Sequence, residues 1–137
     1  MNSKLIIALV LTASGASVAL AELELGDASK LPPAAKMAGV TYDKDIKPLV
    51  EKSCVGCHGG EKPKGKYRME SLADVVKGGH DGSPIVAGNS AKSALVHQAA
   101  DLVVDMEMPP TDKREKYPAW TKEQIGLVRA WIDQGAK

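Results

Sequence analysis

Five consecutive residues, Cys54-Val55-Gly56-Cys57-His58, constrain this chain more than any other stretch. Two thiols on one turn of backbone can each add to one vinyl group of a single porphyrin. The histidine that follows at once then lies under the ring as an axial ligand to iron. Two other readings of the spacing fare worse. Half of a zinc site would need a second ligand pair, yet no other cysteine exists and His80 and His97 stand alone and remote. A redox dithiol would follow a strand and open a helix, whereas here a helix-like segment runs into the motif and Gly59-Gly60 runs out of it. The motif therefore assigns one haem c, bound covalently through Cys54 and Cys57, with His58 on the iron.

Composition agrees. With 137 residues there is enough chain for one domain. There is no Phe, and only two Trp and three Tyr, so side chains alone give a thin core that a buried porphyrin would fill out. Beyond residue 21 the chain carries 17 basic and 17 acidic residues without a basic patch, which argues against a nucleic-acid surface.

The first residues set the expected compartment. A short positive start, Met1 to Lys4, precedes the apolar run Leu5 to Leu11 and small residues ending in Ala19-Leu20-Ala21. That is the pattern of a cleavable signal peptide, 1–21. A retained anchor fits poorly, because only seven strongly apolar residues precede Thr12, Ser14, Gly15 and Ser17. The expectation is export to the periplasm, cleavage after Ala21, and a monomer without stable membrane insertion.

Residues 22–40, with Gly26, Pro32-Pro33 and Gly39, read as a linker or loosely docked N-terminal arm; the haem domain is expected over 41–137. Asp45 as N-cap and Pro48 in the first turn begin a helix, with Ile46, Leu49 and Val50 on one face, that delivers Cys54. Ser71 caps a brief helix through Leu72, Val75 and Val76, stopped by Gly78-Gly79. Ser90 opens a third helix reaching Leu102, and Met106 to Pro118 is irregular because of Pro109, Pro110 and Pro118. Thr121 and Gln124 form a capping box for the last helix. Its apolar face is Ile125, Leu127, Val128, Trp131 and Ile132, and Gly135 sits at its C-terminal cap. Trp131 is expected against the Ile46–Leu49 face, with Gly126 admitting the first helix closely.

Met37, Met69, Met106, Met108, His80 and His97 are the candidates for the opposite side of the iron. Met108 is favoured, since Pro109-Pro110 stiffens its loop and a thioether held on rigid backbone binds with little loss of entropy. Met106 is the near rival, and Met69 and Met37 read as packing and linker residues. His97 points about 140° from the apolar stripe of the third helix, by 100° per residue, and reads as solvated; His80 reads as a surface loop residue. Lys64, Lys66 and Arg68 follow the motif and could pair with haem propionates. Arg68, between Tyr67 and Met69, is the better placed of the three.

From Tyr42 to Ala136 the chain resembles the small planctomycete-type cytochrome c domains of the class I group. The residues that carry the likeness are Asp45-Ile46-Lys47-Pro48-Leu49, Cys54-Val55-Gly56-Cys57-His58-Gly59, Lys64-Gly65-Lys66-Tyr67-Arg68-Met69 and Lys77-Gly78-Gly79. They continue through Gly82-Ser83-Pro84-Ile85-Val86, Gly88, Ser93-Ala94-Leu95, Met108-Pro109-Pro110 and Trp131-Ile132-Asp133-Gln134-Gly135-Ala136. The resemblance implies an all-α domain whose N- and C-terminal helices cross beside one covalent haem. It also implies thioether links at Cys54 and Cys57 and axial ligands His58 and Met108. Ala87 departs from the pattern, which usually has Pro there.

An electron carrier that docks transiently on redox partner proteins is the leading functional expectation; no paired carboxylates or nucleophile–base set support catalysis by side chains. The alternatives are a subunit of a peroxidase- or nitrite-reductase-like enzyme, or a haem-based sensor. The enzyme needs an open or displaceable distal site; the sensor needs the Met108 loop to move, against which Pro109-Pro110 argues.

Overall fold

The computed structural model describes residues 23–137; the expected signal peptide lies outside them. Among the described residues there are four α-helices and no strand: α1 (Lys47–Ser53), α2 (Leu72–Lys77), α3 (Ala94–Ala99) and α4 (Lys122–Asp133). None is long and apolar enough to cross a membrane.

The first helix begins earlier than Asp45. Tyr42–Ile46 form a π-helical turn after Thr41, and α1 continues from it with Pro48 in its first turn. Asp45 still serves the N-terminus, because its carboxylate accepts from the Thr41 N–H at 2.9 Å. The helix ends by handing the N–H groups of Cys54 and Val55 to the Val50 carbonyl.

The third helix is shorter than its pattern. Ser90–Lys92 make a separate 3₁₀ turn, and Ser93 breaks the run with an extended backbone. Its hydroxyl bonds back to the Val86 N–H and the Asn89 carbonyl, an alternative to the helical ladder open to serine. Left-handed Asp101 (φ 58°) turns the chain after Ala100, and Leu102 donates to the His97 carbonyl.

α4 is capped as expected. The Thr121 hydroxyl accepts from the Gln124 N–H, while the Gln124 side chain accepts from the Thr121 N–H. At its other end Gly135 (φ 103°) lets Ala136 donate back to the Trp131 carbonyl.

The N- and C-terminal helices meet at the π-helical turn. Trp131, fully buried, lies against the Tyr42 ring at 5.7 Å between centroids. Its indole N–H and the Tyr42 N–H both donate to the Lys137 carbonyl, at 2.9 and 3.1 Å. Tyr42 opens the turn that ends in buried Ile46, so Trp131 meets the start of the first helix and shares its core with Ile46.

Gly126 faces a different neighbour from the one expected. A Cβ there would sit 2.6 Å from the Pro33 carbonyl oxygen, and Ala35 donates to the Gly126 carbonyl at 2.9 Å. The close approach is made by the N-terminal arm and not by the first helix. The arm is held at further points: Arg129 reaches the Pro32 carbonyl, Gln134 bonds Met37 and Val40, and Leu31 and Val40 are buried. Asp133 accepts from the Ser90 N–H and hydroxyl, while Arg129 donates to the same hydroxyl at 3.0 Å. One face of α4 therefore clamps arm and turn together. In Gly126→Ala, α4 gains a better helix former but the arm must move. Faster hydrogen exchange at the Ala35 amide, with unchanged protection within α4, is the expected result; unchanged Ala35 protection would contradict the docking.

Candidate haem site

The pentapeptide Cys54–His58 closes on itself. The N–H groups of Cys57 and His58 both donate to the Cys54 carbonyl, at 3.1 and 2.9 Å. Both thiols and the imidazole are therefore carried on one turn at the end of α1. No disulfide joins the two cysteines, and both are partly covered. Burial, reinforced by the neighbouring Cys57, pushes the Cys54 thiol up to about 12.

The following segment is laid back along this turn. Lys64 donates to the Cys57 carbonyl at 2.9 Å and Met69 to the His58 carbonyl at 2.7 Å. Between them, left-handed Gly65 (φ 62°) and Lys66 (φ 53°) turn the backbone so that the Lys64 carbonyl meets His58 Nδ1 at 3.1 Å. A carbonyl only accepts, so Nδ1 carries the proton and Nε2 keeps the lone pair. Burial shifts the His58 pKa down and favours the neutral ring. The Tyr67 ring lies 5.4 Å from the imidazole, fixed by a 3.0 Å bond from its hydroxyl to the Val75 carbonyl.

A second layer comes from the segment after Met108. Ser53 donates to the Pro118 carbonyl at 2.6 Å, and the Trp120 indole donates to the Leu49 carbonyl. Tyr117 covers Gly56 so closely that a Cβ on that glycine would strike its ring. Met108 itself is half-buried before buried Pro109, and its N–H donates to the Gln98 carbonyl of α3 at 3.1 Å. Met106 is more open, at 37% exposure. Met69 is a core residue, and Met37 lies exposed on the arm.

Two other candidates have different surroundings from those expected. His97 is fully buried, not solvated. The helical-wheel argument allowed only one covered face, but α3 packs against both α4 and the Ser90–Lys92 turn. His97 Nε2 donates to the Ala91 carbonyl of that turn at 2.8 Å, leaving Nδ1 without a partner among the described residues. Arg68 is engaged by Glu70 at 2.9 Å, with both side chains more than two-fifths exposed. An exposed pair of this kind contributes little to stability.

Which group fits this arrangement follows from its donors. Two thiols on one turn, next to a neutral imidazole whose Nδ1–H is held by a carbonyl, are the set that covalent haem needs. Tyr67, the Lys64 carbonyl and Tyr117 complete the surroundings, and the motif alone did not reveal them. Gly65 was the one local hint, marking a turn just after the motif.

A small all-helical domain bearing this site is a cytochrome c-type, haem-binding domain. A family model described as Planctomycete cytochrome C matches residues 54–112, from the first motif cysteine to just past Met108-Pro109-Pro110. The chain carries a planctomycete-type cytochrome c domain. Searches of the curated proteins and of the solved structures returned no match.

Proposed function

We propose that the chain is a periplasmic mono-haem c-type cytochrome that carries electrons between redox partner proteins, with His58 and Met108 as axial ligands. The observation that carries the proposal is the His58 imidazole, held by the Lys64 carbonyl through Nδ1 on the turn that bears Cys54 and Cys57. Bound there, haem supplies a one-electron Fe(III)/Fe(II) couple.

The protein's own groups do the rest. Cys54 and Cys57 anchor the group so that no dissociation competes with electron transfer. The Lys64 carbonyl orients the proximal ring and makes it a stronger donor. Tyr67 and Tyr117 cover the turn and limit solvent access. Met108 offers a soft neutral donor, and its N–H is tethered to Gln98. The export pattern of residues 1–21 supports the compartment. The balanced charge of the remainder suits a monomer making brief, small contacts with other proteins rather than binding nucleic acid. Arg68 is retained as a propionate partner, in which role it would exchange Glu70 for the haem carboxylate.

The deciding experiment is the optical spectrum of the exported holoprotein, oxidised and reduced. The expected result is low-spin haem with the weak far-red band of methionine-ligated ferric iron. High-spin or bis-histidine haem would overturn the distal assignment. Small-ligand binding and peroxidase activity would then become the first assays.

A further inference from the structure

The supports of the proximal histidine do not stand alone. Gly79 lies so close to them that a Cβ there would sit 2.5 Å from the Gly65 carbonyl oxygen and 2.6 Å from the Tyr67 Cβ. His80 donates to that same Gly65 carbonyl at 2.8 Å. The turn carrying Gly79 is itself closed, since Gly79 and Gly82 exchange backbone bonds at 3.2 and 3.1 Å. It begins at Gly78, the C-cap of α2, and α2 also supplies the Val75 carbonyl that fixes the Tyr67 hydroxyl. Both supports of the imidazole, the Lys64 carbonyl and the Tyr67 ring, are therefore braced from one place.

We infer that Gly79, with the His80 N–H, is a positioning element for the proximal ligand. It holds the Lys64–Tyr67 turn against His58 and so sets the strength of the Nδ1–H bond and the orientation of the ring. This rests on the haem reading above. The chemistry follows directly: a firm bond from Nδ1–H to a carbonyl gives the ring partial imidazolate character and favours ferric over ferrous iron. A methyl group at residue 79 cannot fit without moving the Gly65 carbonyl or Tyr67. That displacement loosens the Lys64 carbonyl, and the reduction potential rises.

The test compares three variants of the holoprotein with wild type by midpoint potential, ferric EPR g-values and melting temperature. The ¹⁵N shift of His58 Nδ1 is also read in the reduced protein. Gly79→Ala is expected to raise the potential and change the g-values and the Nδ1 shift, with covalent haem retained. Gly82→Ala is the control. It strains the same turn (φ +92°) but its Cβ would meet nothing within 4 Å, so it should lower the melting temperature alone. Tyr67→Phe keeps the ring and loses the bond to Val75. It should shift the g-values and Nδ1 as Gly79→Ala does, to a smaller extent, and it decides the matter if Gly79→Ala does not fold. A Gly79→Ala protein that only melts earlier, or a Gly82→Ala protein with equal shifts, would overturn the inference. Failure of the haem reading is separately visible, as wild type lacking covalent haem. In that case the Nδ1 shift of the haem-free chain still reports whether Gly79→Ala moves the Lys64 carbonyl.

Discussion

Trp131→Ala will cost the folded protein about 3–5 kcal/mol in denaturant unfolding, the range for emptying a buried aromatic site. Small domains have roughly 5–15 kcal/mol in all, so the variant should lie near the edge of folding. Three losses coincide in this one side chain. Its ring fills the crossing of α4 with the π-helical turn, against Tyr42. Its indole N–H is one of the two donors holding the Lys137 carbonyl. The neighbours Ile46, Val128 and Ile132 are themselves fully buried and packed in the same core, so the void cannot close by a surface rearrangement. Trp131→Phe keeps most of the apolar volume and should cost clearly less. A measured loss below about 1 kcal/mol for the alanine variant would mean that the crossing relaxes or that the haem alone holds the helices together.

What could be read ahead from the sequence divides along a physical line. Features encoded within a few residues were legible. The Thr121–Gln124 capping box, the Gly135 cap, the stop at Gly78 and the haem motif all depend on neighbours in the chain. Features that depend on what packs from elsewhere were not. His97 looked solvated because a helical wheel knows only its own helix; the Ser90–Lys92 turn covers the other side. Gly126 is small for the sake of Pro33, more than 90 positions away. The arm looked loose because Pro and Gly give it no period, yet backbone and side-chain hydrogen bonds from α4 hold it without one. In the candidate site, Cys54, Cys57 and His58 are near neighbours in the chain, so the turn they share was legible. The Lys64 carbonyl could not, because any residue has one and only the left-handed pair Gly65-Lys66 aims it at the imidazole.

Met108→Ala is expected to remove the far-red ferric band and to lower the midpoint potential by on the order of 100 mV or more, within the roughly 0.8 V that axial ligands span. A thioether is a soft neutral donor that favours ferrous iron, and water or hydroxide in its place favours ferric. The local structure favours Met108 over Met106 for this role. The Met108 backbone is tied to α3 through Gln98 and followed by buried Pro109, so its side chain starts from a fixed point. Met106 follows left-handed Asp105 in an exposed stretch that includes Val104 at 83% exposure. Ordering that segment around iron would cost more conformational entropy. Met106→Ala is therefore the matched control, with band and potential both retained. Should the control lose the band and Met108→Ala keep it, the ligand is Met106, and the tether to Gln98 serves the loop rather than the iron. If neither variant changes the spectrum, the distal donor is not a methionine of this loop. The carrier reading would then give way to one with an exchangeable sixth position.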